Sequence, residues 1–193
     1  MAEGRIPWDI ISSNQRVKTG MEWVVMQFSF SEQPEAIALK EELTLRTRET
    51  DVPGLHMANL WLWDIEHGAP IHNPREVLDF LFRATSFPCR DFLVGPWVTH
   101  SATSALTAAL QLLSSGVSLE GGAYEDEPNE AGEFLHRIFN WLGSPVTAFA
   151  NMEHRNAYSA AGFSVFEVPH WVDEGLVLIG PNRVAALWFL GTD

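Results

Sequence analysis

Lysine is nearly missing from this chain. Its 193 residues hold 2 lysines and 10 arginines against 25 acidic residues, a formal net charge of −13. A nucleic-acid binder needs clustered Lys and Arg to neutralise phosphates, and an anionic membrane surface attracts the same side chains, so this balance argues against both as partners. Cysteine is scarcer still. Cys89 stands alone and cannot close an internal disulfide, which points to a reducing, cytoplasmic setting. Free cysteines are mostly small core hydrophobes, and Cys89 is read as one. The start, MAEGRIPWDII, has no long apolar run behind a basic residue, so no signal peptide is expected. Residues 92–119 carry no Asp, Glu, Lys or Arg. Pro96 and His100 interrupt that stretch, and its longest helical part, Ala102 to Leu113, is too short to cross a bilayer of about 30 Å. It reads as deeply buried core. Repeats and low-complexity linkers are also lacking.

What is present is apolar mass. The chain is 46% hydrophobic and 11% aromatic. A chain of this size buries about 70% of its unfolded surface and needs no staples, and its composition argues against disorder. One globular domain spanning residues 1–193 is expected.

Strand and helix signals alternate along it. In residues 22–30, Val24, Met26, Phe28 and Phe30 share one parity, the mark of a strand with one wet face. Pro34 suits a helix's first turn, and Ala36, Leu39 and Leu43 form a narrow stripe behind it. Glu42 and Arg46 stand at i,i+4 in the favourable order. Residues 55–65 are apolar on both parities, so this strand is placed centrally. Asn73 and Pro74 open a second helix, with Val77, Leu78, Leu81 and Phe82 on its apolar face. A short strand is expected at 92–98, then a helix capped by Ser101 with Leu106, Leu110 and Leu113 as its stripe. Phe134, Leu135, Ile138, Trp141 and Leu142 make the best helical pattern, stopped by Gly143 and Pro145. Strands follow at 145–150, 163–168, 175–179 and 184–190, the last two flanking a tight turn, GPNR. The expected architecture is α/β or α+β: a mixed sheet of about six to seven strands with helices packed on it and an antiparallel C-terminal hairpin.

Four places carry side chains that chemistry could use. The first is acidic. Six of the seven acids between Asp91 and His136 fall in Glu120, Glu125, Asp126, Glu127, Glu130 and Glu133, with no Lys or Arg among them. These six are the candidate partner-binding residues, suited to a basic protein steered in by opposite charge. A helix dipole also accounts for Glu130 and Glu133. The second is THSATS at 99–104, where His100 can act as a base beside Ser101 or Ser104 at a helix N-terminus. Ser101 is equally explained as the N-cap. The third is Asp64, Glu66, His67 and His72, without the paired short spacing of a zinc site. The fourth is Tyr158. From 145 to 168, PVTAFANMEHRNAYSAAGFSVFEV resembles the end of a GNAT-type N-acetyltransferase, with Asn156, Tyr158, Gly162 and Phe163 as counterparts. That resemblance implies a general-acid role for Tyr158. The family's pyrophosphate loop is replaced by the acidic EDEPNEAGEF, which would repel a cofactor phosphate.

No catalytic residue, metal or cofactor is therefore assigned, and the sequence leans away from an enzyme. The expected function is an acidic protein-binding module, an inhibitor or immunity protein that occludes a basic partner such as a toxin or nuclease. The alternatives are a small acyltransferase-like or hydrolase enzyme, or a structural subunit of a larger assembly.

Overall fold

A computed structural model describes residues 13–19, 22–50, 53–66, 97–115, 123–124, 127–151 and 172–191. The element order is β1 (Ser13–Thr19), β2 (Glu22–Phe30), α1 (Pro34–Arg46), β3 (Ala58–Glu66), β4 (Val98–His100), α2 (Ala102–Ser115), α3 (Pro128–Leu142), β5 (Thr147–Ala150), β6 (Val172–Ile179) and β7 (Arg183–Gly191). The strands form one sheet in the order β1-β2-β3-β7-β6-β5-β4. The hairpin expected at the C-terminal end is β6–β7, and its last strand lies mid-sheet, as the apolar run VAALWFL requires. Antiparallel pairing extends across every described pair, so this part of the sheet is antiparallel rather than mixed, in an α+β fold. The expected helix at 73–82 and strand at 163–168 lie outside the described residues, as do Cys89 and Tyr158.

Register decides which side chains meet the helices. Leu60 pairs with Leu187 and Leu62 with Ala185, while Leu176 and Leu178 continue the same face across β6. Against it lie Ala36, Leu39 and Leu43 of α1, and Phe134, Leu135, Ile138, Trp141 and Leu142 of α3, all buried. Each such leucine contributes about 1.5–3 kcal/mol by leaving water. The opposite parity, including Trp61, Trp63, Val177 and Trp188, is buried too, so the strands from β3 to β6 are apolar on both faces.

Two elements depart from the sequence pattern. β1 was not expected: Asn14, Gln15, Arg16 and Lys18 give it no apolar alternation, which suits a charged edge strand. In α2 only part of the expected leucine stripe faces inward. Leu106 is 40% exposed and Leu110 half-buried, while Ala105, Ala108, Ala109, Leu112 and Leu113 are buried. Packing selects the alanine side because Ala148 and Ala150 of β5 are also small, and small residues let a helix settle close to a sheet. Of the short strand expected at 92–98 only Trp97 and Val98 are described; β4 starts at Val98 and runs on to His100, beyond the expected end.

The helix ends are tied down by distant residues. The Arg183 guanidinium donates to the Trp141 carbonyl and lies 5.0 Å from the Trp141 ring centroid, a cation placed where the helix C-terminus is negative. Gly180 in the hairpin turn sits so close to the Leu142 carbonyl that a Cβ there would overlap it. Gly143 ends α3 with a φ of 80°, a left-handed conformation that glycine adopts at no steric cost.

Candidate functional site

The acidic segment meets arginine from its own chain. Arg46, at the end of α1, donates to Glu127 at 2.5 Å and to Glu130 at 2.6 Å. Its guanidinium lies 4.2 Å from the Tyr124 ring centroid. The Tyr124 hydroxyl donates to Glu42 at 2.9 Å, and Arg137 donates to the other oxygen of that carboxylate. The helical pair expected between Glu42 and Arg46 is thus exchanged for contacts between helices. Tertiary packing offers Arg46 two carboxylates and an aromatic face, more than the single partner one turn away.

The charges respond accordingly. Hydrogen bonding to Arg46 holds the Glu127 carboxyl below its ordinary value. Burial opposes ionisation of Glu42, but hydrogen bonds from Arg137 and Tyr124, with the charges of Arg137 and Arg46, outweigh it and lower its pKa. Burial and then the bond to Glu42 raise the Tyr124 hydroxyl. A depressed folded-state pKa means the unfolded chain binds more protons, so stability rises with pH. The contribution of Glu42 is fully present above the unfolded value, about 4.3, and is lost as pH falls through the lower folded value. Chemical denaturation between about pH 6 and pH 3 should therefore show a falling midpoint, with a shallower fall in Glu42→Gln. Equal slopes for the two chains would contradict this network.

The six expected partner-binding carboxylates divide three ways. Glu127 and Glu130 are clasped by Arg46. Glu133 is exposed on α3. Glu120, Glu125 and Asp126 lie outside the described residues. The structure adds carboxylates the acidic-segment reading passed over: Glu32, Glu35 and Glu41 are exposed around α1 and, like Glu133, make no ion pair among the described residues.

A groove of about 530 Å³ opens beside α1, walled by Phe30, Ile37, Leu45 and Trp61 with Lys40 and Glu41. Ile37, Glu41 and Leu45 stand at i, i+4, i+8, off the buried stripe of Ala36, Leu39 and Leu43. That second stripe was the sequence signal for this groove, and it is readable only once the first has been assigned to the core.

No protein-family model, curated protein or solved structure matches this chain. Its function has to be argued from its own residues.

At the start of α2, His100 Nδ1 lies 3.0 Å from Ser104 Oγ, and the Ser104 N–H donates to Ser101 Oγ at 3.1 Å. Ser101 is thus the N-cap, and Ser104 is the hydroxyl that meets the imidazole. Asp64 accepts from Gln33 Nε2 at 2.9 Å and sits 3.5 Å from Arg183 Nε, a strut between β3 and β7. Glu66 closes β3, and His67 and His72 lie outside the described residues. No group of potential metal ligands gathers among the described residues. His56 Nδ1 lies 3.2 Å from the Thr47 carbonyl, and Asn59 Oδ1 accepts the His56 N–H at 2.9 Å, a local brace before β3.

A buried polar cluster went unnoticed in the sequence. Trp188 Nε1 donates to Asp173 Oδ1 at 2.6 Å. Asn151 donates to the Asp173 carbonyl at 2.6 Å and accepts the Gly175 N–H at 3.0 Å. Its side chain therefore extends the β5–β6 ladder by one step beyond Ala150, satisfying backbone groups that would otherwise be buried without partners.

Proposed function

We propose that this chain is an acidic protein-binding module that docks on a basic protein and occludes it, in the manner of an inhibitor or immunity protein directed at a toxin or nuclease. The supporting observation is the charge left after internal pairing: Glu32, Glu35, Glu41 and Glu133 stand exposed without an ion pair among the described residues, in a chain of net charge −13. Such a surface accelerates encounter with a positive partner and slows encounter with negative ones. Glu127 and Glu130 take part less than their sequence position suggests, because Arg46 screens them. Among the described residues no helix is long and apolar enough to cross a membrane.

The test is kinetic. The partner is captured from the native host and its association rate measured at low and high ionic strength. The rate is expected to fall about tenfold or more as the Debye length shrinks from about 10 Å at 0.1 M salt to about 3 Å at 1 M. A rate indifferent to salt removes the charge argument. One contact favours a small hydrolase instead, the His100–Ser104 pair. Stoichiometric labelling by a fluorophosphonate probe, abolished in Ser104→Ala, would select that reading; the docking reading expects no label.

A further inference from the structure

We propose that the groove between α1 and the paired strands β2 and β3 receives an amphipathic helix of the basic partner, its apolar side seated in the groove and its Lys or Arg side over the glutamates in and just before α1. This deepens the docking reading above and rests on it.

Four large apolar side chains are markedly exposed among the described residues: Phe30 at 40%, Ile37 at 45%, Leu45 at 87% and Leu106 at 40%. Single exposed apolar residues are ordinary, but contiguous ones mark interaction sites. Two of these four, Ile37 and Leu45, stand on the α1 wall of one groove, which Leu62 continues onto the sheet, while Phe30 borders it at the end of β2 with its ring stacked on Trp63. The groove's volume, about 530 Å³, lies within the range of binding clefts, about 300–1,000 Å³. The Lys40 stem adds apolar surface to the groove wall. An open trough along a helix suits a helical segment with anchors at i, i+3, i+4 and i+7.

Charge selects among occupants. The segment Phe30–Leu45 supplies eight of the ten lining residues and carries four glutamates and one lysine. Glu42 is engaged by Tyr124 and Arg137, while Glu32, Glu35 and Glu41 make no ion pair among the described residues. A second copy of this chain, docked groove to groove, would bring like charges together, which costs several kcal/mol. A partner segment bearing Lys or Arg beside its apolar side gains from the same charges.

The probe is a synthetic Leu/Lys amphipathic helix of about 18 residues, titrated into the ¹⁵N-labelled full chain, with a Leu/Glu helix of the same pattern as control. Binding should move the amide signals of Ile37, Lys40, Glu41, Thr44 and Leu45. The Leu/Glu helix should bind at least about tenfold more weakly. The double variant Ile37→Ser, Leu45→Ser, at two exposed positions, should weaken Leu/Lys binding by at least about tenfold while leaving the thermal midpoint nearly unchanged. Shifts confined to residues 127–133, with the groove silent, would overturn the groove assignment and leave the acidic docking reading standing. Failure of both helices to bind at low salt would overturn both. A dimer of the chain alone, dissolved by Leu45→Ser in sedimentation, would show that the groove's occupant is a second copy and overturn this proposal.

Discussion

Gly175→Ala is expected to destabilise the fold by about 3 kcal/mol, a fall of roughly 6–12 °C in Tm. The effect comes from one added methyl group. Gly175 pairs with Trp188 across β6 and β7, and a Cβ at this position would overlap two atoms of the Trp188 indole ring and come within 2.6 Å of the Leu187 carbonyl oxygen. A flexible side chain could yield, but a fully buried indole and a backbone carbonyl in the middle of a sheet cannot. The ring is held further by its bond to Asp173. Thermal or denaturant unfolding reads the loss directly. A change below about 1 kcal/mol would mean that the indole does not lie over Gly175.

The partner prediction removes the ring. Trp188 is 0% exposed, and Trp188→Ala is expected to cost about 3–5 kcal/mol through lost burial and the cavity left behind. Part of that loss is polar. The Asp173 carboxylate, itself buried, loses the indole N–H that reaches it at 2.6 Å. Trp188→Phe keeps much of the ring and removes only the donor, so it should cost about 1–3 kcal/mol. Combining Gly175→Ala with Trp188→Ala should cost clearly less than the two added, because the alanine methyl then enters the space the indole vacated. Strict additivity would place the two residues apart and contradict the pairing.

How much of this was legible in the sequence depends on how local the information was. α3 could be read almost residue by residue, because Phe134, Leu135, Ile138, Trp141 and Leu142 repeat at the helical period and all five are buried. The β6–β7 hairpin was legible from two apolar runs about a turn. Periodicity failed where it was absent, in polar β1, and where it was degenerate, in α2. There, alanines and leucines both repeat at helical spacing, and only the small β5 side chains decide which side turns inward. The charged residues were the least legible. Glu42 and Arg46 are ideal neighbours on one helix, yet each is claimed by residues more than 75 positions away. The buried bond between Asp173 and Trp188 is likewise set by strand register rather than by any local motif.

The same limit governs the candidate site. The acidic segment was visible as composition, but its internal partner Arg46 was not. The groove residues Phe30, Ile37 and Leu45 looked like ordinary apolar positions of a strand and a helix. Only the fold brings them to one groove beside three glutamates that make no ion pair among the described residues.

Charge reversal at those glutamates tests the docking role most directly. The chain and its Glu32→Lys, Glu35→Lys, Glu41→Lys variant, all exposed positions, are compared for association with the protein captured from the native host. That partner should carry net positive charge at neutral pH, and the variant should associate at least about tenfold more slowly at low salt, with the two rates converging at high salt. An acidic or neutral partner, bound equally by both chains at every ionic strength, would contradict the account.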